Sequence, residues 1–172
     1  LNEKYREKCF EILLSFYLEE KFPLPTIAPA PSKEVVKPEA EPKEFIVPID
    51  VKAFFKENNI QEELLKKLFL MQENEIRAIY KITTTKKATA QIQIALLAAL
   101  QTALGKVGSK FEFSEEFVRQ RCKDLKAYDA PNFTSIFKKN AGLFKSLDDT
   151  EHIELSADGR TELADVISTV AK

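Results

Sequence analysis

The residue types that carry most catalytic and metal chemistry are few and scattered in this chain. His152 is the single histidine, and Cys9 and Cys122 are the two cysteines. One histidine cannot complete a metal cluster, and nucleophilic catalysis needs a base held beside its nucleophile. We therefore expect His152 to be an ordinary strand or surface residue. The cysteines form no CxxC pair, so we expect two buried thiols in a reducing compartment.

Acidic residues occur as adjacent pairs, at Glu62-Glu63, Glu115-Glu116 and Asp148-Asp149. Neighbouring residues of a helix point to different sides, so such pairs do not form an acid–base dyad. The chain also lacks a glycine-rich loop followed by Lys and Ser or Thr, the pattern that cradles nucleotide phosphates. We predict no catalytic residues, no metal and no cofactor, and hence a binding protein and not an enzyme.

Composition and charge narrow the class of partner. The chain has 26 Lys and Arg against 27 Asp and Glu, so a nucleic-acid surface would have to be a local patch. A hydrophobic fraction of 44% with only four glycines favours a helical fold over a β-sandwich. No long apolar span and no secretion signal are evident, so we expect a cytoplasmic protein without membrane partners.

The first 44 residues predict a helix followed by a spacer. Residues 1–21 place Tyr5, Cys9, Phe16 and other apolar side chains around much of a helix. Such an amphipathic helix must dock on its own core or on another molecule, which makes self-association a second possible partner interaction. Six of the eight prolines lie in residues 22–44, which predicts a semi-rigid, extended linker.

Residues 45–87 form a third segment, predicted to be a mixture of short helices and a strand. Phe45–Asp50 is expected to be an edge strand or an extended lead-in, because Pro48 removes a backbone donor. Asp50 is expected to cap a helix over residues 51–58, which Asn58-Asn59 interrupts.

The rest of this segment predicts one more helix and one strand. A helix is expected from Gln61 to Gln72, with Leu64, Leu65 and Leu68 among its buried residues. Glu75–Thr83 alternates in part and predicts a strand, with continuation of the helix as the alternative. Residues 83–87 are expected to be a polar hinge, because their threonines are β-branched.

Residues 88–172 predict a sequence of helices and short strands. The most apolar element is a helix from Thr89 to Leu104, ended by Gly105. The elements expected after it are a strand at Lys110–Ser114, helices at Ser114–Leu125 and Asn132–Phe144, a hairpin through residues 148–150 and a helix from Ala157.

Caps and apolar stripes support these elements. Ser114, Asn132 and Ser156 are each expected to cap a helix. Phe144–Leu147 is expected to pair with His152–Leu155 as a hairpin. The core face of helix 114–125 is expected to comprise Phe117, Val118, Arg121, Cys122 and Leu125.

This order resembles the winged helix-turn-helix superfamily. The junction Leu155–Arg160 adds to the resemblance, because it joins a strand residue, a hydroxyl cap and a Gly-Arg pair. The resemblance covers about residues 88–172 and not the N-terminal half. It implies a mainly α (α+β) fold, in which a C-terminal winged helix follows a small helical segment and a proline-rich linker.

In that family the helix after the turn enters the major groove of DNA and the wing contacts the backbone. The resemblance therefore implies that helix 132–144 binds duplex DNA. Its exposed side would present Asn132, Thr134, Ser135, Lys138, Lys139 and Asn140, whose side chains suit base edges and phosphates. Further phosphate contacts would come from Arg119, Lys123 and Lys126.

The presumed wing tip departs from that pattern. Residues 148–151 are Asp-Asp-Thr-Glu, which would repel a phosphate backbone. The alternative hypothesis is therefore a protein–protein interaction or assembly module that uses the same fold without nucleic acid.

Overall fold

The computed structural model describes residues 46–72, 75–105 and 110–171. The predictions for helix 1–21, for the linker 22–44 and for Cys9 lie outside these residues. The described part is mainly helical, with two small antiparallel sheets. A mainly α, α+β fold class is thereby confirmed.

The described chain enters its first helix without a strand. Helix α1 spans Ile49–Glu57, and Pro48 precedes it in an extended conformation. Of the predicted range 45–50, residues 46–48 form no strand, Pro48 is extended, and Ile49 and Asp50 already belong to the helix. The extended lead-in is thus confirmed only before Ile49, and the edge strand is wrong for residues 46–50. Asp50 was wrongly predicted as the cap, because the helix has already begun there. Its carboxylate lies in the first turn, where it complements the helix dipole.

The second predicted helix proves to be a helix followed by a strand. Helix α2 spans Glu63–Leu68, β1 spans Phe69–Gln72, and β2, at Glu75–Ala78, pairs with β1 in an antiparallel hairpin. The hairpin buries Phe69 and Ile76, and its cross-strand hydrogen bonds replace the helical ones. The helix expected over residues 69–72 was therefore wrong, and the strand expected over residues 75–83 is confirmed for its first four residues.

Helix α3, Lys87–Gly105, is the centre of the molecule. It contacts α1, β2 and, among the later elements, one strand and three α-helices, and Ile94–Leu100 is buried without a break. It also has the length and composition of a membrane span, contrary to the sequence expectation. Its burial against the other elements is what a core helix requires.

The C-terminal part repeats the expected order with shorter elements. Backbone pairing places residues 153–155 between residues 111–113 on one side and residues 144–145 on the other. The sequence predicted the second of these pairings and not the first. The elements are β3 at Glu112–Phe113, α4 at Glu115–Asp124, α5 at Phe133–Lys139, a 3₁₀ turn at Ala141–Leu143, β4 at Ile153–Glu154 and α6 at Ala157–Val170.

Of the three caps predicted in residues 88–172, two are made by side chains. Ser114 Oγ accepts a hydrogen bond from the Phe117 amide at 3.2 Å, and Ser156 Oγ accepts one from the Gly159 amide at 3.0 Å. Asn132 precedes α5, but its side chain makes no cap hydrogen bond. That part of the prediction was wrong.

Helix α5 ends five residues before the predicted end at Phe144. Asn140 terminates it, and Phe144 is extended, buried and bridged to Leu155. The ring of Phe144 also stacks on that of Phe137, with centroids 5.6 Å apart. Continuing the helix would give up the bridge and this burial, so packing decides the end.

The predicted core face of α4 is only partly buried. Val118 and Cys122 are fully buried, whereas Phe117 is 42% exposed and Leu125 is 36% exposed. Phe117 lies about 100° around the helix from Val118. Leu125 is the C-cap, where the chain leaves the helix. The inclusion of these two residues in the core was wrong.

Candidate functional site

The turn between α4 and α5 is held against the core by one buried polar side chain. Gln91 of α3 is fully buried, and its Nε2 donates a hydrogen bond to the Ala127 carbonyl at 3.0 Å. Lys126, the residue before, is exposed and has a φ of 56°, a left-handed conformation. The core helix thus positions this turn and, through it, the start of α5.

Three cationic side chains converge on Tyr128 in this turn. Arg119 Nη1 donates to the Tyr128 hydroxyl at 2.9 Å, and Lys123 Nζ lies 5.5 Å from the ring centroid. Lys87 Nζ donates to the Tyr128 carbonyl at 3.4 Å. Sequence reasoning missed both Lys87 and Tyr128, because 41 residues separate them and neither belongs to a motif.

Arg119 is already neutralised within the protein. It pairs with Glu115 through Nη2, and its Nε lies 3.6 Å from a Glu116 oxygen. Its guanidinium also covers the Phe133 ring, 4.8 Å from the centroid. The hydrogen bond that Arg119 donates to Glu115 raises the pKa of Arg119 above its ordinary value, because the charged form is stabilised. Its clearest role is to hold α4, the turn and α5 together.

Half of the predicted polar side chains on α5 form local hydrogen bonds. Asn132 Nδ2 donates to Asp129 Oδ2 at 3.1 Å. Ser135 Oγ donates to the Asn132 carbonyl at 2.9 Å, and Asn140 Nδ2 donates to the Ile136 carbonyl at 2.8 Å. These contacts shape the two ends of the helix and use part of its hydrogen-bonding capacity.

The other predicted residues of α5 are open to solvent. Thr134, Lys138 and Lys139 are exposed and make no side-chain hydrogen bond or ion pair with the described residues. Thr134 and Lys138 border a small cleft of about 50 Å³ together with Glu115 and Leu147. The structure therefore gathers Arg119 and Lys123 at the turn, and places Lys138 and Lys139 at the far end of α5.

The loop between residues 145 and 152 is acidic and internally bonded. Asp149 Oδ1 accepts hydrogen bonds from the amides of Glu151 and His152, at 3.0 and 3.1 Å. Asp148 and Asp149 are exposed. Leu147 of this loop and Lys138 of α5 border the same small cleft, so the loop carries negative charge near α5.

The remaining reactive residues offer no catalytic arrangement among the described residues. Burial raises the pKa of the Cys122 thiol to about 12, which leaves it protonated near neutral pH. His152 is exposed, 3.6 Å from Glu112, as a surface residue was expected to be. Over residues 46–72, 75–105 and 110–171, no three His, Cys, Asp or Glu side chains come together as a metal site.

Comparison with protein-family models, with curated proteins and with solved structures gives no match to this chain.

Proposed function

We propose that residues 88–171 form a winged helix that binds duplex DNA through α5 and the turn before it. The support for the fold is the element order α3, β3, α4, α5, β4, α6, with residues 153–155 as the middle extended segment. In this arrangement α5 would enter the major groove. A fold does not by itself imply DNA binding, which also requires positive charge at the binding surface.

The observation that carries the proposal is a set of unneutralised lysines around α5. None of them has a carboxylate within ion-pair distance among the described residues, whereas Lys110 and Lys145 are both paired with Glu154. Free ammonium groups can replace the counterions of a phosphate backbone without breaking an internal ion pair. The set comprises Lys87, Lys123, Lys126, Lys138 and Lys139.

The test is binding of the full chain to random-sequence duplex, measured by fluorescence anisotropy over a series of salt concentrations. If all five lysines contact phosphates, the logarithm of affinity should fall against the logarithm of salt with a slope of about −4.5. Lys138→Glu combined with Lys139→Glu should weaken binding at low salt by at least roughly tenfold, because phosphate contacts become repulsions.

A matched control tests whether the position of the charge matters. Lys66 and Lys67 form the same exposed pair in the last turn of α2, so their double change to Glu alters net charge equally. That variant should bind duplex within roughly twofold of the parent, because only long-range repulsion changes. Equal losses from the two double variants, or no binding at low salt, would reject the DNA proposal.

The second candidate is a protein-binding module on the same fold. The specific observations in its favour are the acidic pair Asp148-Asp149 and the pairing of Arg119 with Glu115 and Glu116. Absence of a salt-dependent duplex complex would favour this candidate.

A further inference from the structure

A second concave surface lies on the described body, at the end of α3. It is bordered by β2, by the last turn of α3, by β3 with the start of α4, and by residues 151–152. We call it the acidic cleft. Its volume is about 460 Å³, within the range of ligand-binding clefts and larger than one side chain needs.

The polar lining of the acidic cleft includes three carboxylates, which act as hydrogen-bond acceptors when they are ionised. Its carboxylates belong to Glu75, Glu112 and Glu151, His152 also borders it, and no Lys or Arg is among the described residues of its lining. Gln101 also borders the cleft, and its buried Oε1 has no hydrogen-bond partner among the described residues. A ligand that carries donors and positive charge suits such a lining.

Among the described residues, a cationic or titratable side chain lies near two of the cleft's three carboxylates and not near the third. Arg77 lies 3.3 Å from Glu75, and His152 lies 3.6 Å from Glu112. Glu151 has no cation within ion-pair distance among residues 46–72, 75–105 and 110–171. Helix α3 ends at the cleft without a basic residue in its last turn, so its negative pole adds to the field.

One wall of the cleft is an exposed aromatic ring. Phe117 is 42% exposed although it lies in the first turn of α4, and it borders the cleft beside Ile76 and Phe113, which are both buried. The hydrogen bond from its amide to Ser114 Oγ fixes the backbone that carries the ring. An exposed phenyl face near carboxylates is a platform on which a flat cation can stack.

Arginine is the side chain that combines the three properties the cleft favours, which are hydrogen-bond donors, a positive charge and a flat face. Its guanidinium has five donors and no acceptor, pairs with a carboxylate through two hydrogen bonds, and stacks on aromatic rings. Lysine offers a compact charge without the flat face. We propose that the acidic cleft binds an arginine of a protein partner. This inference does not depend on DNA binding by α5.

The experiment uses the full chain and a fluorescein-labelled peptide, Arg-Val-Arg-Val-Arg, with binding followed by anisotropy. Two matched peptides replace every arginine by lysine or by citrulline, which is nearly isosteric with arginine but uncharged. Saturable binding of the arginine peptide is expected. The lysine peptide should bind at least roughly threefold more weakly because it cannot stack as well, and the citrulline peptide more weakly still.

Variants of the protein test whether the peptide binds in the acidic cleft. Phe117→Ala should weaken arginine-peptide binding by on the order of tenfold. Leu125→Ala, an exposed apolar change on the same helix and outside the cleft, should leave it unchanged. Glu151→Gln should weaken binding, whereas Glu162→Gln, on the exposed side of α6, should not.

The outcomes decide the proposal in either direction. Absence of saturable binding, equal affinity for the arginine and lysine peptides, or equal effects of Phe117→Ala and Leu125→Ala would overturn it. Circular dichroism checks that each variant keeps its helix content. If Phe117→Ala loses helix content, the test is the comparison of Glu151→Gln with Glu162→Gln. Equal affinities of these two variants for the arginine peptide would overturn the proposal.

Discussion

At the scale of single residues, Glu154 connects the small sheet to three cations. Its carboxylate pairs with Lys145, lies 3.4 Å from Lys110 Nζ and lies 4.0 Å from Arg160 Nη2. Its side chain is only 15% exposed. The hydrogen bond from Lys145 lowers the pKa of Glu154 below its ordinary value, because the ionised form is the bonded one.

We predict that Glu154→Gln destabilises the protein in a pH-dependent way. Because the folded pKa is lowered, the stabilisation is present above the ordinary pKa of Glu, and is lost as pH falls through the folded pKa. The free energy of unfolding should drop by about 1 kcal/mol at neutral pH and by much less in acid, in urea titrations. Glu162→Gln, a matched change on an exposed carboxylate that has no ion pair with the described residues, should have little effect at either pH. An equal loss for Glu154→Gln at both pH values would contradict this explanation.

At the scale of elements, the start of α6 lies unusually close to the 3₁₀ turn. Ser156 connects the two: its amide donates to the Leu143 carbonyl at 2.9 Å, and its hydroxyl donates to the Gly142 carbonyl at 2.6 Å. A Cβ built on Gly159 would lie 2.0 Å from the Leu143 carbonyl oxygen. Only glycine allows α6 to begin at this distance from the turn, which explains the glycine of the Gly-Arg pair in physical terms.

We predict that Gly159→Ala destabilises the protein by roughly 1–3 kcal/mol, because α6 must move away from the turn and weaken the contacts of Ser156. Gly142→Ala is the matched control, since a Cβ there would have no atom within 4 Å. That change should alter stability by no more than about 0.5 kcal/mol. The measurement is thermal or urea unfolding of both variants. Similar losses of stability from the two substitutions would show that the close approach of α6 to the turn does not require glycine at position 159.

At the scale of the whole molecule, α3 is shared by the N-terminal and C-terminal elements of the described body. Its buried residues contact α1 and β2 from one half, and α4, α5, α6 and β3 from the other. A single apolar cluster runs through both halves. The two halves should therefore unfold together, because neither has a separate core.

We predict that Leu97→Ala reduces stability by about 2–5 kcal/mol, since Leu97 is fully buried in α3. Hydrogen exchange of core amides should accelerate by the same factor in α1 and in α6, as expected for one cooperative unit. Leu125→Ala, the same chemical change at a 36% exposed position, should have a much smaller effect. Acceleration confined to one half would show that the halves unfold separately.

Local signals in the sequence determined much of the order of elements. The apolar run of α3, the serine caps of α4 and α6, and the interruption at Asn58-Asn59 all follow from side-chain chemistry within a few residues. Of the candidate DNA-binding residues, the solvent exposure of Lys138 and Lys139 was also predictable, since they lie opposite the buried Phe133, Ile136 and Phe137.

Tertiary structure alone decided the features that depend on distant partners. Residues 69–72 are a strand because residues 75–78 pair with them and Phe69 finds a buried site. Phe117 is exposed because α3 contacts the Val118–Cys122 side of α4. Lys87 reaches Tyr128 across 41 residues of sequence. Periodicity describes one element at a time, whereas burial and charge pairing are set by which elements meet in space.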